Sequence, residues 1–161
     1  MHRALLLIGV TGVGKSTVAA AIGGILTAAG RVTAVVDTDA LAQFGPPPGG
    51  SSFYDHLKCS NLSVVWANYR RAGARFVVVS AGIDSAAQRD QYAGSLAGCE
   101  VQVVRLVAAL DTVRRRLQDR DGTARHSQHP GTPAVAIEDF SIVNDRPATV
   151  VAREVIARAG W

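Results

Sequence analysis

The segment Gly9–Ser16 reads GVTGVGKS and matches the pattern G-x-x-x-x-G-K-[ST] in full. In this pattern glycines let backbone N–H groups turn toward a phosphate, and the helix that follows adds partial positive charge. The lysine reaches the β- and γ-phosphates, and the hydroxyl of Ser16 is a ligand for Mg²⁺. The segment therefore predicts a phosphate-binding loop (Walker A) that binds a nucleotide. The residues expected to bind the nucleotide here are Gly9, Thr11, Gly12, Val13, Gly14, Lys15, Ser16 and Thr17.

Two aspartates, Asp37 and Asp39, stand where the second predicted strand ends. Alternation along a strand would place both carboxylates on the same side, at the edge where the phosphate loop opens. A phosphoryl transfer needs a metal ion held in place and an acceptor hydroxyl oriented, and carboxylates suit both tasks. The alternative is a turn, in which Asp39 only caps the next segment. Downstream of a complete phosphate loop, we favour the functional interpretation.

The loop, the sequence Asp37-Thr-Asp39 and their spacing resemble the small-molecule kinases of the shikimate kinase, gluconate kinase and adenylylsulfate kinase group. The C-terminal segment Ile142–Pro147, followed by Val150–Ile156, is similar to the adenine-loop strand and last helix of shikimate kinases. The resemblance implies an α/β, P-loop NTPase three-layer fold with a five-stranded parallel sheet in the order 2-3-1-4-5. It implies ATP as donor and Mg²⁺ as cofactor. It also implies that Asp37 acts on Mg²⁺ through water and that Asp39 contacts the acceptor hydroxyl.

Three arginines have roles implied by the same resemblance. Arg116 and Arg120 lie four residues apart, hence on one helix face, in a segment similar to the entry of the arginine lid. The family places such arginines over the nucleotide phosphates, which makes Arg116 a candidate catalytic residue. The alternative for such a charge run is a solvated helix face. Arg146 and Pro147, in the adenine-loop segment, are candidate nucleotide-binding residues.

The chain also departs from shikimate kinases. The glycine-rich turn after the third strand is reduced to Ser80-Ala-Gly82, and the arginines that bind the shikimate carboxylate have no clear counterpart. Arg70 and Arg71 end a predicted helix near the site, but solvated charges favoured by the helix dipole explain them better. We therefore expect an acceptor other than shikimate. His126 and His129 are interpreted as loop residues, because no Cys or further His joins them as a metal ligand.

Strands alternate with helices along the chain, which favours a parallel sheet covered on both faces. Strands are predicted at Ala4–Gly9, Thr33–Asp37, Phe76–Ser80, Val101–Val107 and Phe140–Val143. Helices are predicted at Lys15–Ala29, Asn61–Ala72 after a Ser60 cap, Asp84–Leu96, Thr112–Arg120 after an Asp111 cap, and Pro147–Ala159. Residues 1–161 are expected to form one domain, with a substrate-binding segment at about 40–72 and a lid at about 111–132. Two polar or Pro/Gly-rich stretches, Gly45–Ser52 and Asp121–Thr132, are predicted as loops or flaps over the site.

Composition restricts the class of protein. With 161 residues, 48% hydrophobic and 19% charged, the chain fits one folded domain and not a disordered one. No apolar run is long enough for a membrane helix, and we expect no signal peptide. Cys59 and Cys99 lack the spacing of a disulfide framework or zinc site, so we expect a cytoplasmic protein with reduced thiols. The net charge of +4 comes mainly from arginines, and without a nucleic-acid-binding motif it does not favour a nucleic-acid partner.

The sequence favours an ATP-dependent kinase that phosphorylates a hydroxyl of a small metabolite, with Lys15, Asp39 and Arg116 as catalytic residues and Ser16 and Asp37 at the metal. The first alternative is a P-loop ATPase or nucleotide-dependent switch without a small-molecule acceptor. The second is a nucleotide-binding module without catalysis, although its loop and acidic residues are intact. No motif in the predicted acceptor segment identifies the acceptor.

Overall fold

Five parallel strands form one sheet in the order β2-β3-β1-β4-β5. The computed structural model describes residues 1–45, 52–121 and 136–161. The strands are β1 (His2–Ile8), β2 (Thr33–Asp37), β3 (Phe76–Ser80), β4 (Cys99–Val107) and β5 (Phe140–Val143). The helices are α1 (Lys15–Ala28), α2 (Ser52–Arg71), α3 (Ala86–Gly94), α4 (Leu110–Asp121) and α5 (Ala148–Arg158), with a short 3-10 helix at Thr38–Ala42. The strand order is the one that the sequence resemblance implied.

The central strand β1 is buried on both faces, which explains its unbroken apolar sequence. Its side chains alternate between two apolar clusters, one on each side of the sheet. Leu6 belongs to a cluster with Trp66 of α2 and Tyr92 of α3. Leu5 belongs to the other cluster, with Ile22 of α1 and Val151 of α5. The sheet therefore has helices on both faces, and the carboxyl ends of its strands open at one edge.

Two predicted helix starts are wrong. Helix α2 begins at Ser52, so Ser60 lies within the helix and does not cap it. Polar residues, among them Asp55, His56 and Lys58, interrupt the apolar spacing in its first two turns and hide the helical period. Helix α4 begins at Leu110, so Asp111 lies in its first turn and does not cap it. A carboxylate in the first turn interacts favourably with the helix dipole. Helix α3 is shorter than predicted and is capped by the Ser85 hydroxyl, which accepts a hydrogen bond from the N–H of Gln88.

The two predicted flaps fall largely outside the described residues. Of Gly45–Ser52, residues 46–51 are not described, and Ser52 begins α2. Of Asp121–Thr132, residues 122–132 lie outside the described part, and with them His126 and His129. Among the described helices, none combines the length and apolar character needed to span a bilayer.

Candidate active site

The loop between β1 and α1 takes a backbone form that three of its glycines make possible. Gly9, Gly12 and Gly14 have φ of 139°, 84° and 103°, a region that other residues rarely adopt. A Cβ on Gly9 would lie 2.5 Å from the carbonyl oxygen of Leu106, and one on Gly14 would lie 2.6 Å from Nδ2 of Asn144. The loop therefore packs against the ends of β4 and β5, where a side chain would not fit.

Lys15 begins α1 and lies half-buried over the loop. Its Nζ donates to the carbonyl oxygens of Gly9 at 2.7 Å and Val10 at 3.2 Å. Burial lowers the pKa of the Lys15 ammonium, and the nearby carboxylates of Asp39, Asp37 and Asp84 oppose that shift. This cation is thus held close to carbonyl oxygens at the mouth of the loop, where negatively charged phosphate oxygens would compete for it.

A set of oxygen atoms surrounds the start of α1. The Ser16 hydroxyl donates to Oδ2 of Asp37 at 2.5 Å, and its oxygen lies 3.3 Å from the Ser80 hydroxyl at the end of β3. Hydroxyl and carboxylate oxygens are ligands that suit Mg²⁺, which keeps several further positions for phosphate oxygens and water. Ser16 and Asp37 therefore fit the magnesium site that the sequence predicts, and Ser80 borders it.

Asp37 and Asp39 do not lie on the same strand, because the chain changes direction between them. Strand β2 ends at Asp37, and the 3-10 helix begins at Thr38. The N–H of Asp39 donates to Oδ1 of Asp37 at 3.0 Å, which caps this helix. The expected geometry of two carboxylates side by side on a strand is thus wrong, because the extended backbone stops two residues before Asp39. The Asp39 carboxylate instead meets Lys58 of α2, with Oδ1 2.6 Å from Nζ.

The side chain of Arg116, in α4, contacts backbone atoms of the phosphate loop. Its guanidinium donates to the carbonyl oxygen of Val13 and to that of Asn144, both at 2.9 Å. Nδ2 of the buried Asn144 donates to the same Val13 oxygen at 2.7 Å. One carbonyl of the loop is therefore shared by donors from α4 and from the turn after β5, and the three segments are held together.

These segments enclose a cavity of about 620 Å³. Of the predicted nucleotide-binding residues, those that line it are Thr11, Gly12, Gly14, Lys15, Ser16, Thr17, Arg116, Arg146 and Pro147. The side chain of Val13 is buried, so this residue presents backbone atoms only. Arg146 forms an ion pair with Glu154 at 2.5 Å. The backbone of Arg120 belongs to α4, and its side chain is outside what the structure describes.

Arg70 and Arg71 are not near this cavity, contrary to the position expected for them. Arg70 donates to the carbonyl oxygen of Ala97, just before β4, and its charge helps lower the pKa of His2, which lies at the start of β1. The largest cause of the lowered His2 pKa is burial. Helix α2 thus carries its arginines to the amino ends of the strands, the opposite edge of the sheet from the cavity.

Four residues of the site were not predicted from the sequence: Lys58, Ser80, Leu117 and Asn144. Lys58 is the only lysine besides Lys15, and that rarity in an arginine-rich chain was an available signal. Leu117 fills the space beside Gly12, where a Cβ would lie 2.7 Å from its Cγ. Asn144 stands directly after β5, at the same sheet edge as the phosphate loop, so its strand-end position could have indicated it.

A model of the AAA domain family matches residues 5–136, most of the chain. The chain belongs to this family. A search of curated protein sequences gave no match. The family assignment agrees with the phosphate loop and the sheet described above.

Solved structures with the same fold include small-molecule kinases. The tunicamycin resistance protein of Deinococcus radiodurans is 20% identical, with a TM-score of 0.69 over 99% of this chain and 96% of that chain. The APS kinase CysC of Mycobacterium tuberculosis is 22% identical, with a TM-score of 0.66 over 99% and 98%. A gluconokinase of Sinorhizobium meliloti 1021 is 21% identical, with a TM-score of 0.61 over 96% and 90%. At these identities the likeness shows the fold, a P-loop NTPase fold shared with small-molecule kinases, and confirms the predicted resemblance.

Proposed function

We propose that the protein is an ATP-dependent kinase that transfers the γ-phosphoryl group to a hydroxyl of a small molecule, with Mg²⁺ as cofactor. The observation that carries this proposal is the position of Asp39. Its carboxylate lines the same cavity as Lys15 and Ser16, and its side chain is 81% exposed. A carboxylate at this position can accept the hydrogen bond of an attacking hydroxyl. The kinases among the solved structures with this fold favour a small-molecule hydroxyl over water as that group.

In this mechanism the acceptor oxygen attacks the γ-phosphorus, the bond from that phosphorus to the β–γ bridging oxygen breaks, and ADP leaves. The hydroxyl proton passes to Oδ2 of Asp39, which accepts no hydrogen bond from the described residues. Lys15 exchanges the carbonyls of Gly9 and Val10 for phosphate oxygens and neutralises charge that develops on them. Mg²⁺, held by Ser16 and the Asp37 carboxylate, would neutralise further charge on the β- and γ-phosphates.

We propose for Arg116 a second role, in addition to the phosphate contact that its sequence position predicted. Because its guanidinium holds the backbone of Val13 and Asn144, we propose that it fixes the loop in the form that binds phosphate. It still lines the cavity, so a phosphate oxygen can share its N–H donors. Arg146 and Pro147 also line the cavity, and we propose that the base of the nucleotide lies beside them.

The test is a phosphoryl-acceptor screen with [γ-³²P]ATP and Mg²⁺ over sugars, amino sugars, cyclitols and nucleosides. A kinase gives a labelled acceptor, and the label is lost in Asp39→Asn. Release of free phosphate alone, at a rate that no acceptor changes, would contradict the proposal and support the ATPase alternative. Nucleotide binding with neither product would support the non-catalytic alternative.

A further inference from the structure

One side of the site, which we call the acceptor wall, consists of residues 38–45, 52–62 and 81–89. It includes the 3-10 helix after β2, the first half of α2, and the loop that follows β3 with the first turn of α3. Asp39 brings this wall to the edge of the cavity, and the charges of Asp84 and Lys58 both act on the pKa of Lys15. The wall therefore lies where an acceptor would approach the γ-phosphate.

The ammonium group of Lys58 forms an ion pair with Asp39. Its side chain is only 17% exposed although lysine side chains normally extend into water, and Nζ lies 2.6 Å from Oδ1 of Asp39. Asp39 itself stays 81% exposed, and its second oxygen, Oδ2, is not contacted by any described donor. The pair is thus asymmetric: the cation is enclosed and the carboxylate is open. This arrangement orients Asp39 and leaves little of the lysine for a second anion.

The rest of the acceptor wall is acidic. Nε2 of Gln88 donates to Oδ2 of Asp55 at 2.9 Å, and Oε1 of the same Gln88 accepts from the N–H of Asp84 at 2.8 Å. Gln88 therefore joins two carboxylate residues, one from α2 and one from the loop after β3. Asp55 and Lys58 are three residues apart on α2 and share a helix face. Within the described residues, no donor contacts the Asp84 carboxylate.

Within the described residues, the acceptor wall holds one further guanidinium or ammonium group, that of Arg89, and it is paired elsewhere. Arg89 forms an ion pair with Asp139, 2.9 Å away, beyond the wall. Residues 46–51, which the structure does not describe, have the sequence PPPGGS and so carry no ionisable side chain. The charges of Asp39, Asp55 and Asp84 thus exceed that of Lys58, even before the phosphates of a nucleotide are added.

We propose that the acceptor is a hydroxyl compound without a negatively charged group, and that Lys58 is a positioning residue for Asp39 and not a binding residue for the acceptor. The inference rests on the proposed kinase function. A carboxylate or phosphate on the acceptor would have to displace Asp39 from Lys58, and would then face Asp55 and Asp84 as like charges. The enclosed ion pair between Lys58 and Asp39 should therefore favour an uncharged or amine-bearing acceptor over an acidic one.

The first test uses matched acceptors. Hexose, pentose, cyclitol and nucleoside scaffolds are each supplied as the parent alcohol, a carboxylic acid derivative and an amine derivative, with [γ-³²P]ATP and Mg²⁺. We expect label on parent or amine members, and a kcat/KM about tenfold or more lower for the acid of the same scaffold. A preference for the acids would overturn the inference and leave the kinase proposal intact. Free phosphate without any labelled acceptor would remove both.

The second test separates positioning from binding, using the best acceptor of that panel. Lys58→Met keeps most of the apolar stem and removes the charge, so it should lower kcat about tenfold or more with the acceptor KM changed less than about threefold. Lys58→Arg should restore part of kcat, since it restores the cation beside Asp39. A large rise in acceptor KM at unchanged kcat would show that Lys58 binds the acceptor, and would refute its positioning role.

The third test changes the charge of the acceptor wall without touching Lys58 or Asp39. Asp84→Asn removes one like charge, so it should reduce the discrimination between a parent alcohol and its acid by several-fold. Asp90→Asn is the matched control, because Asp90 is an exposed carboxylate of α3 two residues from Gln88 and without a contact in the described structure. Equal effects of the two variants, or no effect of either, would contradict the electrostatic basis of the inference.

Discussion

The site has a nucleotide half, around the phosphate loop, and an acceptor half, along the acceptor wall. The two halves are formed by different kinds of chemical group. The nucleotide half consists mainly of backbone: three glycines at positive φ, the start of α1 and the carbonyl of Val13. The acceptor half consists of side chains from three separate segments, with Asp39, Lys58 and Asp84 as its charged groups. We expect the first half to recognise a phosphate by the shape of its backbone, and the second to recognise the acceptor by the placement of its charges.

This difference explains why the nucleotide half has a recognisable sequence motif and the acceptor half has none. A loop that wraps a phosphate needs its glycines at fixed positions, so the requirement appears in consecutive residues. The ion pair between Asp39 and Lys58 joins residues 19 positions apart, and the contact between Gln88 and Asp55 joins residues 33 apart. Such contacts leave no local pattern, so the acceptor half can change while the nucleotide half stays the same.

The largest expected effect is loss of catalysis in Lys15→Ala. The variant removes a cation from the phosphates but little from the core, so kcat/KM should fall about 100-fold or more while the fold persists. Steady-state kinetics with the acceptor from the screen, together with a circular dichroism spectrum, provide the measurement. Arg71→Ala, at the opposite edge of the sheet, is the control for loss of a positive charge. Near wild-type turnover in Lys15→Ala would mean that the loop does not carry the chemistry.

Substitutions of Asp37 and Asp39 should each affect a different half of the site. Asp39→Asn should leave Mg-ATP affinity nearly unchanged and lower acceptor turnover by ~10²-fold, the scale of lost general-base assistance. Asp37→Asn should instead weaken the Mg²⁺ dependence of ATP binding, because Asp37 meets Ser16 at the metal position. Calorimetric titration of ATP with and without Mg²⁺, beside acceptor kinetics, distinguishes them. If both variants lose only ATP affinity, the division into two halves is wrong.

A smaller effect is expected for Asn144→Ala, which weakens the contact between the loop and the turn after β5. The buried Nδ2 donor to Val13 is lost, although Arg116 still donates to that oxygen. We expect a loss of about 1–2 kcal/mol in the free energy of unfolding, with a parallel decrease in ATP affinity. Urea denaturation measures the first and calorimetry the second. Asn68→Ala, an exposed asparagine of α2, should change neither, and equal effects would count against the contact.

The smallest effect concerns pH. Burial lowers the pKa of Lys15 below the usual value for lysine, so the free protein loses this positive charge at a lower pH than an ordinary lysine does. Phosphate favours the charged form, so ADP affinity should fall several-fold as pH rises through that lowered pKa, and be constant below it. Lysine-selective ¹³C NMR follows Lys15 directly, and Lys15→Arg should abolish the pH dependence because a guanidinium stays charged. A pH-independent affinity in the wild type would contradict the shift.

Sequence patterns predicted the sheet better than the helix ends, for physical reasons. Strands β2, β3 and β5 were predicted at their observed residues, because apolar β-branched runs bounded by polar residues have few other structures available. The start of α2 was missed because Asp55, His56 and Lys58 interrupt its apolar spacing, and because Ser60 has the side chain of a common helix cap. Lys58, the partner of Asp39, was missed because a contact between residues 19 positions apart leaves no local pattern.

The two lysines have a practical consequence. Lys15 lies in the loop and Lys58 on Asp39, so apart from the amino terminus every primary amine of the chain belongs to the site. Acylating reagents such as activated esters should therefore modify the site without altering the arginine-rich remainder of the surface. The lowered pKa of Lys15 leaves more of its amine unprotonated and reactive at mildly alkaline pH. Mass spectrometry of acylation with and without ADP would then report site occupancy before any acceptor is identified.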